Sequence, residues 1–374
     1  MTTTRTSTAT PRAASRVALQ LDYLSPDEIA SQSLPWWQNV LGVVGFEKLP
    51  AIDGARVPVT ASLTPSLGVA GNLCEVWRVA GAEGPMSNGA AEASRAAEGS
   101  RVHYRFCEEL LFGFISIDER ALKAAGPTSG GADDESGALL RATELAYQEI
   151  FGVLKETEHR YLIRIWNYLP EINREAGGDE RYRLFNSARQ LAFRNSGQAT
   201  VDTVPAASAL GSPAGSPLSI YFLAARQRPR MIENPRQTSA YHYPPKFGRH
   251  SPIFSRACML HESAGTSLFV SGTASIVGHE TIHPGDVSAQ TRETMTNINA
   301  LLDEANRVVG LSRYSLDDLK FKVYVRQPSD LGAIEEALSR SLRSTSSIVY
   351  LQADVCREDL LVEIEATGES RRAC

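Results

Sequence analysis

"RIWNYLP" (Arg164–Pro170) and "VYVRQP" (Val323–Pro328) read as one device used twice. Each is a strand that carries a polar residue, Asn167 or Arg326, shortly before a proline. Their surroundings match as well. Before the second come a strand, "SLFVSGTASI" (Ser267–Ile276), and a helix, "DVSAQTRETMTNINALLDEA" (Asp286–Ala305). In that helix Val287, Thr291, Met295, Ile298, Leu301 and Leu302 fall near a 3.6-residue period. After it come a helix with an Asp/Ser start, "SDLGAIEEALSRSL", and two strands, "SSIVYLQADV" and "DLLVEIEA". Around the first copy, "HYRFCEELLFGFISI" is strand-like, and "GALLRATELAYQEIFGVLKE" and "RYRLFNSARQLAF" are helical. The order predicts an α+β fold of two tandem units, each a mixed sheet with helices packed on one face.

The chain has 374 residues, 43% hydrophobic and 22% charged, with a formal net charge of -5. That is a globular composition with room for two domains. An acidic balance argues against a nucleic-acid binder. No apolar run approaches the roughly 18 residues of a membrane span. Residues 1–15 read as a disordered tail and 16–204 as the N-terminal unit. The Gly/Ser/Ala/Pro-rich 205–219 reads as a linker, and 220–374 as the C-terminal unit. Ala80–Ser100 and Ala124–Gly137 read as surface insertions. The five cysteines (Cys74, Cys107, Cys258, Cys356, Cys374) are widely spaced and odd in number. This suits reduced thiols and a cytoplasmic protein.

"GHETIH" (Gly278–His283) contains a literal H-E-x-x-H. That spacing binds zinc only on a helix, where both histidines share a face. Here Pro284 disfavours helical geometry at His283, and Thr281 and Ile282 are β-branched. The stretch reads as a loop, and no metal is expected. Glu363 and Glu365, two apart in the last strand, share one face. Alternation alone leaves open whether that face meets water or a pocket, and which carboxylate would act.

From about Ile253 to Ala366 the chain resembles the Rid/YjgF family. The resemblance lies in "SPIFSRACMLHESAGTSLFVSG", the helix after it, "FKVYVRQPSDLGAIEEAL" and "VEIEA". Imine deaminases of that family hold the substrate carboxylate with an arginine at the start of the strand matching "SIVYLQADV". None stands there, which argues against that activity and leaves a non-catalytic ligand-binding relative as a further reading. Nearly the whole chain is similar to the chorismatases, through "ENPRQTSAYHYPPKFGRHSPIFSRA", "RIWNYLPEIN", "SGTAS" and "ADVCREDLLVEIEA".

The resemblance implies a cofactor-free enzyme acting on chorismate at the interface of the two units. It implies Glu363 as the general acid that protonates the enolpyruvyl group. Chorismate carries two carboxylates, so its site needs cationic donors. Arg256 and Arg326 are expected to bind them, with Tyr243 and Asn167 adding polar contacts. Cys356, seven positions before Glu363, and Gly272 stand where members forming 3-hydroxybenzoate have cysteine and glycine, and hydrolytic members have alanine at both. The expected products are therefore pyruvate and 3-hydroxybenzoate. A mixture of 3- and 4-hydroxybenzoate, or a dihydroxycyclohexadiene carboxylate from hydrolysis, are the alternatives. Fusion of two units in one chain leads us to expect a monomer.

Overall fold

A computed structural model describes residues 17–46, 57–61, 64–68, 71–80, 86–92, 101–123, 134–197, 203–262, 264–310, 314–343 and 348–371. The expected tail, most of the second insertion and Cys374 lie outside the described residues.

Two sheets repeat one topology, as the paired strand motifs predict. The C-terminal sheet runs in space Arg230–Ile232, Ala257–Glu262, Gly265–Thr273, Val362–Arg371, Leu319–Val325, Ile348–Gln352, with Ser66–Leu67 added at its edge. The other runs Ser87–Glu92, Arg101–Phe106, Leu110–Ile117, Leu218–Ala225, Tyr161–Pro170, Ala206–Ser212. In both, the last strand of the unit inserts at the centre, antiparallel to both neighbours. The strands just before it in sequence form a parallel pair, the one such strand pair in each sheet among the described residues. Helices Asp134–Glu156 and Arg181–Asn195 cover the first sheet, and Val287–Val309 and Leu331–Ser339 cover the second.

The structure corrects the expected boundaries. Pro205–Ser219 is not a linker. It contains the buried strand Ala206–Ser212, the counterpart of Ile348–Gln352. Small residues occur there because the strand is pressed between the units. A Cβ on Gly211 would meet the Asp354 Cβ at 2.6 Å, and the Gly211 N–H donates to the Asp354 carbonyl at 2.8 Å. The first unit closes only with Leu218–Ala225. Ser87–Glu92, inside an expected insertion, is an edge strand. Before it, Ala18–Leu24, Cys74–Ala80, Val40–Gly45 and Val59–Ala61 make a third, four-stranded sheet that belongs to neither unit.

Each helix-covered face has its own apolar core. The helix-free faces of all three sheets meet in another, built on Trp77, Trp166, Tyr168, Tyr221, Phe269 and Tyr324. Alternation in Val362–Arg371 sends Val362 and Ile364 to the helices and Glu363 and Glu365 into this central space. Both carboxylates are buried, at 4% and 5% exposure, so the face is not a wet one.

Candidate active site

The last strand places its two glutamates in opposite electrostatic situations. Glu365 is surrounded by donors. Arg164 Nη2 lies 2.7 Å from it, Lys322 Nζ 2.9 Å, Trp166 Nε1 2.6 Å, Ser208 Oγ 2.7 Å and Tyr324 OH 3.2 Å. Burial alone would raise its pKa, but Lys322 and then Arg164 overcome this and hold it at about 2. Glu365 is a buried anion. Glu363 has none of these partners, and its Oε1 has no hydrogen bond. Burial first, and the Glu365 charge second, push it up to about 8. At neutral pH it holds its proton, as a general acid must. The neighbours thus give opposite charge states to two carboxyls that alternation could not tell apart.

Glu363 lines a cavity of about 600 Å³ together with Gly272, Cys356, Tyr243, Arg256 and Arg357. This is an ordinary volume for a small-molecule site. The opposite wall, with Tyr182 and Arg183, comes from the first turn of Arg181–Asn195, so the cavity lies between the two units. Gly272 sits where the ladder to Val362–Arg371 slips between Val270 and Thr273. A Cβ there would collide with the Glu363 carboxyl, 2.6 Å from its carbon, and reach Ser208 Oγ at 3.0 Å. The glycine is needed for close approach, not for an unusual φ. Gly272→Ala is therefore expected to leave the fold intact and displace the Glu363 carboxyl. Turnover of chorismate should fall at least tenfold, or the product distribution should change. Unaltered rate and products in a product assay would contradict the steric reading.

Cys356 packs against Ala274, Ile276, Val355 and Leu360. Burial, reinforced by Glu363, raises its thiol to about 12, so it is no thiolate nucleophile. It contributes volume and an S–H group. Cys74, Cys107 and Cys258 are likewise free thiols.

Tyr243 follows a 3-10 turn in the long connection that covers the cavity. Its ring lies between two guanidinium groups, Arg256 at 5.6 Å and Arg357 at 5.2 Å. Its hydroxyl accepts a 2.8 Å bond from Arg256, which also donates to the Thr238 carbonyl. Arg256 Nε is left without a partner. Arg357, which the sequence reading missed, also stacks on Phe247 at 4.1 Å. Its Nη1 donates to the His279 carbonyl, while its buried Nη2 has no partner. Two arginines thus line one cavity, and each keeps a buried N–H without a partner.

Two expected ligands do not reach the cavity. Arg326 spends its guanidinium on Leu360, Val355 and Arg357 carbonyls and on the Asn173 and Asp354 side chains. It pins the turn that carries Cys356 and Arg357. Asn167 points toward the helices. It accepts from Tyr147 OH at 2.7 Å and donates to the Ser208 carbonyl at 2.9 Å. The equivalence of the two strand ends is topological, not functional.

The H-E-x-x-H stretch is a tight hairpin, Ile276–Val277 against Glu280–Thr281, with His283 at φ 60°. Its histidines do not share a helix face, and no group of potential metal ligands occurs among the described residues. Glu280 pairs instead with Lys246 of the covering connection.

Known proteins resemble this chain in sequence and in fold. Residues 87–224 match the family model for "Chorismatase FkbO/Hyg5-like, N-terminal", the unit that closes with Leu218–Ala225. A 3-hydroxybenzoate synthase of Streptomyces hygroscopicus is 41% identical over 239 residues, covering 62% of this chain and 70% of that protein. A crystal structure of a chorismatase superposes with TM-score 0.77 at 30% identity, over 95% of this chain and all of that one. Over 108 residues, 28% of this chain and 79% of the relative, the chain is 32% identical to a RutC family protein of Pyrococcus horikoshii. The fold and site define an α+β protein of tandem Rid/YjgF-like units with a buried acid at their junction. The chain belongs to the chorismatase family.

Proposed function

We propose that this protein converts chorismate to 3-hydroxybenzoate and pyruvate. The observation that carries the reading is the Glu363 carboxyl. It is buried, free at Oε1, beside Gly272 and Cys356, and held protonated at neutral pH. The 41% identity to a protein named 3-hydroxybenzoate synthase supports the choice of product.

Arg256 and Arg357 bind the two substrate carboxylates, with Tyr243 keeping the cations apart and aligned. Glu363 gives its proton to the terminal methylene carbon of the enolpyruvyl ether. The carbon next to the ether oxygen becomes an oxocarbenium centre, and the Glu363 carboxylate left behind lies near it. Release of pyruvate takes up one water, and aromatisation of the ring expels one. The sum is chorismate to 3-hydroxybenzoate plus pyruvate with no net water. The Cys356 thiol, and the Glu363 carboxyl that Gly272 lets approach, decide where water can stand, and so whether the ring aromatises. Arg326 holds the turn bearing Cys356 and Arg357 and acts through them.

The helix-free faces of three sheets bury one another within a single chain, which supports a monomeric catalyst. No helix among the described residues is long and apolar enough to cross a membrane, and the free thiols support a reducing cytoplasm.

Incubation with chorismate and chromatography of the products tests the reading. Equal amounts of pyruvate and 3-hydroxybenzoate are expected. No pyruvate release would overturn it, and a diene diol as main product would overturn the roles of Cys356 and Gly272. A substantial share of 4-hydroxybenzoate would make the pocket less selective than proposed.

A further inference from the structure

The central space holds a chain of buried charges that the reaction as described does not use. Lys322 Nζ bridges Glu365, at 2.9 Å, and Glu75, both ion pairs almost wholly buried. Glu75 also accepts from Trp77 Nε1 at 2.5 Å. Arg164 closes the other end on Glu365 at 2.7 Å. Two cations and two carboxylates balance, and they come from all three sheets. Glu75 stands on Cys74–Ala80, Arg164 and Ser208 on the first unit, and Lys322 and Glu365 on the second. A dry arrangement of this kind is weak evidence for stability and is costly to assemble. It calls for another reason.

We propose that Glu365, kept anionic by this chain, is a positioning residue whose charge holds the proton on Glu363 until substrate arrives. The proposal rests on the chorismatase reading of the cavity. Every hydrogen-bond partner of Glu365 is a donor, and with Lys322 and Arg164 they outweigh burial and the nearby carboxyls Glu75 and Glu363. The groups that face Glu363 are Glu365 on its own strand, Arg164, Arg326, Cys356 and Tyr182. Both arginines spend donors elsewhere: Arg164 on Glu365, Ser208 and the Ile165 carbonyl, Arg326 on the Cys356 turn. The thiol and phenol are neutral. Glu365 is thus the anion that opposes loss of the Glu363 proton. Ser208 stands at the Gly272 position that the Glu363 carboxyl also approaches. Its hydroxyl donates to Glu365 and accepts from Arg164 and from the Gly272 N–H at 3.1 Å, directly beside the Glu363 carboxyl.

The test is the pH profile of kcat/KM for pyruvate release in the wild-type protein, Glu365→Gln and Glu365→Asp. An acid catalyst is active while protonated, so wild-type activity should fall as pH rises through about 8. Loss of the neighbouring charge should move that limb down by about one pH unit or more in Glu365→Gln. Glu365→Asp, which keeps the charge, should restore most of it. A limb that stays in place in Glu365→Gln overturns the proposal. Carboxyl titration followed by 13C NMR, with Glu363→Gln to assign the resonance, needs neither activity nor a fragile variant. Glu363 holding its proton past pH 7 while Glu365 stays ionised below pH 4 supports the proposal, and Glu365 protonated at neutral pH overturns it. Wild-type protein that releases no pyruvate would instead remove the reading of the reaction, with the titration still deciding the charge relation.

Discussion

Glu363→Gln should abolish turnover of chorismate, with a loss of about 100- to 10,000-fold or more, the range that a positioned proton donor contributes. The amide has the shape of the acid but no proton to give. Neither its strand neighbour Glu365 nor Cys356 can replace it. Glu365 is ionised and enclosed by donors, and the Cys356 thiol is too weak an acid at about 12. The same substitution should not damage the fold, and its stability has a definite pH signature. The folded pKa of Glu363 lies above its ordinary value of 4.5, at about 8. Its contribution is therefore fully present below about pH 4.5 and lost as pH rises through 8. A shift of that size is worth roughly 4–5 kcal/mol. Glutamine never ionises, so the variant should melt at or above the wild-type temperature at pH 9. Thermal melts from pH 5 to 9 measure this. Activity retained within tenfold, or a variant that weakens with pH as the wild type does, would remove Glu363 from the acid role.

The repeated order of strands and helices made most of the fold legible in the sequence, because each element carries its own periodicity. What failed was nonlocal. Pro205–Ser219 has the composition of a linker, yet Ala206, Ser208 and Gly211 are small because a strand must fit between two units. The duplication itself held the correction, since a copy of Ile348–Gln352 was missing from the first unit. The third sheet escaped notice although "ALQLDYL" alternates, because neither it nor "CEVWRVA" has a counterpart in the repeat.

At the site, alternation correctly paired Glu363 with Glu365 but could not separate them. The separation comes from Lys322, Arg164, Trp166, Ser208 and Tyr324, which are distant in sequence or on the neighbouring strand. Arg326 and Asn167 were drawn in by their equivalent places at strand ends, where polarity turned out to satisfy backbone and neighbouring side chains. Arg357 was overlooked in favour of its neighbour Cys356. The signal available was a cation in the same turn, aimed by the same backbone.

Lys322→Met should be the most destabilising single change in the central space. The side chain is 1% exposed and touches two carboxylates. Burial pulls the lysine pKa down, but Glu365 and Glu75 more than reverse this, so the ammonium is held charged. Methionine replaces the stem and leaves both carboxylates without their shared cation. Breaking a buried pair in this way costs about 3–5 kcal/mol, which in a chain of this size lowers the melting temperature by about 4–6 °C. The cost has a pH dependence of known sign. Glu365 has a folded pKa depressed to about 2, so its stabilising contribution is present above about pH 4.5 and lost as pH falls through 2. The variant forfeits that contribution, and the gap between wild type and Lys322→Met should be widest near pH 7 and narrow toward pH 3. Adding Glu75→Gln should recover part of the loss, since one of the two stranded charges is gone. Calorimetric melts of the three proteins decide the matter. A single variant that melts within 2–3 °C of the wild type at pH 7 would mean that Trp77, Trp166, Tyr324 and Arg164 solvate the carboxylates sufficiently without the lysine, and that the charge on Glu365 does not depend on it.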